Sequence, residues 1–146
     1  MIYSSRCEDI EVIRKLKDLE FPQTNLYSTN TYLDTRYQNL VFGDYDELPE
    51  YLIYVPSYAE IMDWLLEERG LNVYIMKSLE PGIWKYGVDL AITGNLMRAG
   101  QNISDEVMAL KLAIKSALEI EDKEIQDFID QFKKDEEVKK NMVEIP

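Results

Sequence analysis

The chain has 146 residues, 46% hydrophobic and 30% charged, an ordinary globular balance at a length that suits one domain. It has no histidine and one cysteine, Cys7, which excludes within one chain a His/Cys zinc site, a Ser-His-Asp triad, a Cys-His dyad and a disulfide framework. With 16 basic against 28 acidic side chains the formal net charge is −12, a field that repels nucleic-acid phosphate and anionic lipid.

The opening M-I-Y-S-S-R-C-E-D-I reaches charge at Arg6 and lacks the apolar stretch of a signal peptide, so the expectation is a cytoplasmic protein with a reduced thiol. Ser5-Arg6-Cys7-Glu8 reads as a capping box. Cys7, Ile10, Ile13, Leu16 and Leu19 then recur at helical spacing until Phe21-Pro22 ends the run. From Leu26 to Val55 the chain is rich in tyrosine and β-branched residues. Gly43-Asp44-Tyr45-Asp46 reads as a turn between strands over roughly 30–42 and 50–55.

Pro56 precedes a second capping box, Ser57-Tyr58-Ala59-Glu60, and Gly70 supplies a helix stop. Between them Tyr58, Ile61, Met62, Leu65 and Leu66 form an apolar stripe opposed by acidic residues. Residues 71–79 and 83–93 read as a hairpin around Glu80-Pro81-Gly82, its second strand alternating Trp84, Tyr86, Val88, Leu90 and Ile92 on one face. Gly94 to Asn102 reads as a loop. Ser104 then caps a helix to about Glu119, with Val107, Leu110, Ile114 and Leu118 toward the core. The tail, about Asp122 to Lys140, is helical, with a narrow stripe of Ile125, Phe128, Ile129 and Phe132 and acid-before-base pairs such as Asp130–Lys134.

These elements give the order α-β-β-α-β-β-α-α. They predict an α+β domain whose antiparallel sheet of about four strands, in two hairpins, has helices on one face. Residues 1–120 form the expected single domain, and 121–146 an amphipathic tail packed on it or on a partner. No apolar run is long enough to span a bilayer.

The segments Leu16-Lys17-Asp18-Leu19-Glu20-Phe21-Pro22-Gln23 and Val55-Pro56-Ser57-Tyr58-Ala59-Glu60-Ile61-Met62-Asp63-Trp64-Leu65 resemble short uncharacterised proteins of gut Bacteroidetes and of their phages and prophages. The resemblance continues through the Trp84 strand and the Ala109–Ile114 helix and leaves the tail unmatched. It brings no activity and no catalytic residues. It implies a habitat, the cytosol of an anaerobic bacterium, and a phage accessory gene.

The densest acidic patch outside the tail is Asp44-Tyr45-Asp46-Glu47 with Glu50. As a calcium loop it fails, because Val55 and Pro49 stand where an EF-hand needs Glu and Gly. It reads either as a solvated turn or as a partner-binding surface that mimics nucleic-acid phosphate. Trp64 lies off the main helix stripe, as an exposed partner anchor or at the core's edge. Arg98, in the glycine-containing loop before the helix at Ser104, offers a place for an anionic ligand, with a plain connection as the alternative. Ile125, Phe128, Ile129 and Phe132 could dock on their own domain or join two copies.

No nucleophile elbow and no metal-ligand or cofactor spacing appears, and Asp63 and Glu67 share a helix face on the solvent side. The expectation is therefore a non-catalytic protein with no cofactor or metal, acting by protein–protein interaction on a partner with a basic surface. Phage interference with a host factor or defence fits that expectation. The alternative is a module that sequesters a nucleotide-like small molecule.

Overall fold

The computed structural model describes residues 2–23 and 30–143, so the start of the tyrosine-rich stretch, Leu26 to Thr29, lies outside the described residues. The described residues form an α+β fold with two three-stranded antiparallel sheets. The single four-stranded sheet and the element order expected from sequence are corrected accordingly. The chain divides into two compact units, Met1–Trp64 and Leu65–Pro146, with the division inside the second helix.

In the first unit, α1 spans Ile10–Asp18, and its N-cap is Asp9, whose carboxylate accepts from Val12 N at 3.2 Å. The expected Ser5–Glu8 start is displaced because that backbone is engaged elsewhere. Cys7 N donates to the Pro56 carbonyl, Tyr58 N donates to the Ser5 carbonyl, and Arg6 bridges Ser57. The helix ends at Leu19 in a Schellman arrangement. Phe21 N donates to Leu16 O and Glu20 N to Lys17 O, with Glu20 at φ 66. A glutamate there costs roughly 1 kcal/mol relative to glycine. Burial of Phe21 just beyond it offsets that cost.

The strands β1 (Asn30–Asp34), β2 (Asn39–Gly43) and β3 (Leu52–Tyr54) run in the order β2-β1-β3. The expected strand over 30–42 is thus two strands, and the hairpin turn is Thr35–Gln38 rather than Gly43–Asp46. Asp34 makes this turn. Its Oδ1 accepts from Arg36 N and Nε, its Oδ2 from Arg36 Nη2, and Gln38 closes the turn at φ 57 by donating to Asp34 O. Ile13 of α1 packs with Leu33, Ile53 and Val55, with Leu40 against them. Residues directly opposite in a ladder share a face, so Tyr32, Val41 and Tyr54 occupy the other one.

α2 spans Tyr58–Arg69 and starts with the capping box read from sequence: Glu60 N donates to Ser57 Oγ, and Ser57 N to Glu60 Oε2. Gly70 follows at φ 67. Tyr58, Ile61 and Leu65 are buried, whereas Leu66, placed in the same stripe by sequence, is exposed.

In the second unit, β4 (Leu71–Lys77), β5 (Trp84–Leu90) and β6 (Leu96–Ile103) form an antiparallel meander. The Glu80–Ile83 turn is as expected, with Gly82 at φ 76 and Ile83 N donating to Glu80 O. β5 ends at Leu90, so Ile92 leaves the expected alternation and is exposed. The largest correction is β6, which occupies most of the expected loop. α3 (Glu106–Leu118) packs across all three strands, burying Ala109, Leu110, Ala113, Ile114, Ala117 and Leu118. Its N-cap is Asp105, which accepts from Met108 N, and not Ser104. A separate helix, α4, covers Asp122–Val143.

Two strand glycines are explained by tyrosines directly opposite. Tyr74 covers Gly87 and Tyr86 covers Gly100, and a Cβ at either position would overlap the tyrosine ring. Tyr86 has little freedom to move, because its hydroxyl shares a 2.9 Å hydrogen bond with Ser116 of α3. Gly100→Ala is therefore expected to destabilise the second unit by about 1–3 kcal/mol in urea titrations read by Trp84 fluorescence. A loss below about 0.5 kcal/mol would mean that the ring finds room elsewhere.

Candidate functional site

The connection between β2 and β3 carries most of the residues singled out by sequence. Asp44, Asp46, Glu47 and Glu50 are all exposed along it. Both its ends are held by aromatic contacts. Tyr45 sets its ring edge-on against buried Tyr32, with centroids 5.4 Å apart. Tyr51 lies beneath the Arg36 guanidinium, 3.6 Å from ring centroid to Cζ, and its carbonyl accepts from Thr35 N and Oγ1. Arg36 also approaches the ring of Tyr37, a residue 71% exposed.

Carboxylates lie at both ends of this sheet, Asp34 beside the hairpin turn and Asp44, Asp46 and Glu47 beyond Gly43 at the opposite end. The side chain of Asp34 is only 7% exposed, and its hydrogen bonds to Arg36 hold its carboxyl below the usual range against the opposing effect of burial. Arg36 is raised in return, chiefly by the same contact. Its charge is thus matched locally. The Asp44–Glu50 carboxylates keep their outward field. The connection can present tyrosine rings and negative charge to a partner with little ordering cost, since its anchors are already set.

A polar network in the same unit had no counterpart in the sequence reading. The Tyr54 hydroxyl lies 2.9 and 3.0 Å from the two Glu60 carboxylate oxygens and accepts from Arg6 Nη1 at 3.0 Å. Arg6 also donates to Val55 O and lies 3.6 Å from Glu60. Burial raises the Tyr54 phenol first, and the Glu60 carboxylate adds to it. Glu60 also caps α2. These groups satisfy one another, so the network ties the chain start, β3 and α2 together rather than aiming an acid or base at a substrate. The only signal in the sequence was the capping box.

Trp64, half-buried, meets Phe21 edge-on at a centroid distance of 5.3 Å, which puts it at the edge of the aromatic packing around Phe21 and Tyr54. Arg98 stands on β6 and makes a bidentate pair with Glu124 of α4, at 2.8 and 2.9 Å, while also donating to Met97 O. An anion at Arg98 would have to displace that carboxylate, which the pairing holds in its ionised form. Ser104 is exposed beside the Asp105 cap. On α4, Ile125 is buried and Phe128, Ile129 and Phe132 are half-buried, whereas residues 133–141 are exposed.

Among the described residues, no group of three or more Cys, Asp or Glu side chains could hold a metal ion, and no helix is long and apolar enough to cross a membrane. Compared with known proteins, the chain matches no family model, no curated protein and no solved structure.

Proposed function

We propose that this protein acts without catalysis, by binding another protein with a basic surface through its β2–β3 connection. One observation carries the reading: Tyr45 and Tyr51 are fixed by ring contacts while Asp44, Asp46, Glu47 and Glu50 remain exposed around them. Pinned aromatic side chains in a field of one sign are what a selective interface needs, because tyrosine and arginine carry binding energy and surface charge steers encounter. The net charge of −12 works in the same direction. The resemblance to proteins of Bacteroidetes and their phages makes a bacterial host factor or defence protein the corresponding target, met in the cytoplasm.

The test is native mass spectrometry of the untagged chain captured from a Bacteroidetes lysate, followed by titration of the partner it carries. The Asp46→Lys/Glu47→Lys variant is expected to bind that partner about tenfold more weakly at low salt, and rising salt should narrow the gap. A partner held equally well by the charge-reversed variant at every salt concentration would overturn the reading.

A further inference from the structure

We propose that β2 is a docking strand, on which the partner lays an extended segment rich in lysine or arginine as a fourth strand of the sheet. The inference rests on the function proposed above and gives it a mode of binding. Among the described residues β2 is paired on one side only, with β1. Edge strands are normally protected by charge, proline, a bulge or short length. The run Asn39-Leu40-Val41-Phe42-Gly43 has no charged residue and no proline, and its ladder with β1 runs in unbroken register over all five residues. Leu40 and Val41 are half-buried, and Phe42 is 70% exposed.

The other strand edges differ. β3 is three residues long and buried throughout. In the second sheet, β4 carries Lys77, and β6 carries Arg98 and two register shifts against β5. Among the described residues β2 is thus the edge without protection, and it leads straight into Asp44, Asp46 and Glu47.

That charge selects the occupant. A second copy of the chain would bring another −12 toward the same field, whereas a basic segment is drawn to it. Along five residues, about 17 Å at roughly 3.4 Å each, backbone hydrogen bonds would give affinity. Apolar side chains at alternate positions would meet Leu40 and Phe42, and basic ones would meet the carboxylates beyond Gly43.

The probe is a short fluorescent peptide of alternating lysine and valine, titrated onto the full chain by anisotropy, with amide exchange of residues 39–43 followed in parallel. Successive strand N–H groups point in opposite directions, so two further peptides carry N-methyl groups on the odd or on the even positions. The expected result is binding that protects the β2 amides. One methylated series should lose about tenfold or more and the other keep its affinity. A peptide with glutamate for lysine should bind at least about tenfold more weakly at low salt.

Absence of binding, equal binding by the glutamate peptide, or equal affinity of the two methylated series would overturn the proposal. So would a dimer of the chain alone that already protects the β2 amides. The two readings fail separately. A natural partner lost on Asp46→Lys/Glu47→Lys, alongside equal affinity of the methylated peptides, would leave the interaction and remove the strand addition.

Discussion

Tyr58→Phe is expected to flatten the alkaline loss of stability in the first unit. Tyr58 is 3% exposed at the start of α2. Burial is the main reason its phenol resists ionisation, and the neighbouring Cys7, Asp9 and Glu8 add to it, so its pKa lies well above the ordinary 10.0. With a raised folded pKa, the native state keeps a proton that the unfolded chain gives up. The stabilisation is complete below the unfolded value near pH 10 and falls as pH rises toward the folded one. The slope approaches about 1.4 kcal/mol per pH unit, so two units of alkalinity remove about 2–3 kcal/mol. That is a large share of a typical total of roughly 5–15 kcal/mol. Phenylalanine removes this linkage and gives up the polar interactions of the buried hydroxyl, at about 1 kcal/mol near neutrality. The stability curves of the two proteins should therefore cross above pH 10. Urea titrations across pH, read by Trp64 in a Trp84→Phe background, check this. Parallel curves to the alkaline limit would show that Tyr58 carries no such linkage. Tyr54 and Tyr74, also raised mainly by burial, keep some alkaline sensitivity in the variant.

What could be read from the sequence was whatever depends on neighbours within a turn or two. The Ser57–Glu60 capping box, the Gly70 stop and the Pro81-Gly82 turn use local hydrogen bonds and local φ preferences, and all three are present. Readings failed where a distant residue decides. Ser5 and Asp9 are both competent caps. Pairing of residues 5–7 with Pro56–Tyr58 removes the first and leaves the second. Gly100 speaks for a loop until Tyr86, on another strand, is found to cover it. The turn residues of Gly43-Asp44-Tyr45-Asp46 do mark a change of direction, but it opens the connection to β3. The hairpin turn uses Thr35-Arg36-Tyr37-Gln38, where Asp34 and Arg36 replace the usual glycine chemistry. At the candidate site the acidic positions were evident from composition alone. The ring contacts that fix Tyr45 and Tyr51, and the free edge of β2, depend on topology and were not.

The second unit should lose a large part of its stability when Arg69 is truncated. Its side chain is 10% exposed, and Nη2 donates both to the Ile120 carbonyl, at 2.5 Å, and to Asp122 Oδ1, at 3.0 Å. Ile120 lies between the end of α3 and the start of α4, where helix carbonyls lack partners within the helix. The two contacts differ in kind. Asp122 is 96% exposed, so water replaces Arg69 readily, and such a pair contributes about 0–1 kcal/mol. Ile120 is fully buried, so its neighbourhood excludes that remedy. Arg69→Ala is expected to cost about 2–4 kcal/mol, from the orphaned carbonyl together with lost packing of the arginine stem. Asp122→Asn should cost less than about 1 kcal/mol. Arg69→Lys, which keeps the charge with a shorter reach, should fall between them. Urea unfolding read by Trp84 in a Trp64→Phe background ranks the three variants. If Asp122→Asn cost as much as Arg69→Ala, the ion pair and not the carbonyl would be the stabilising contact, and the joint between α3 and α4 would weaken steeply with salt.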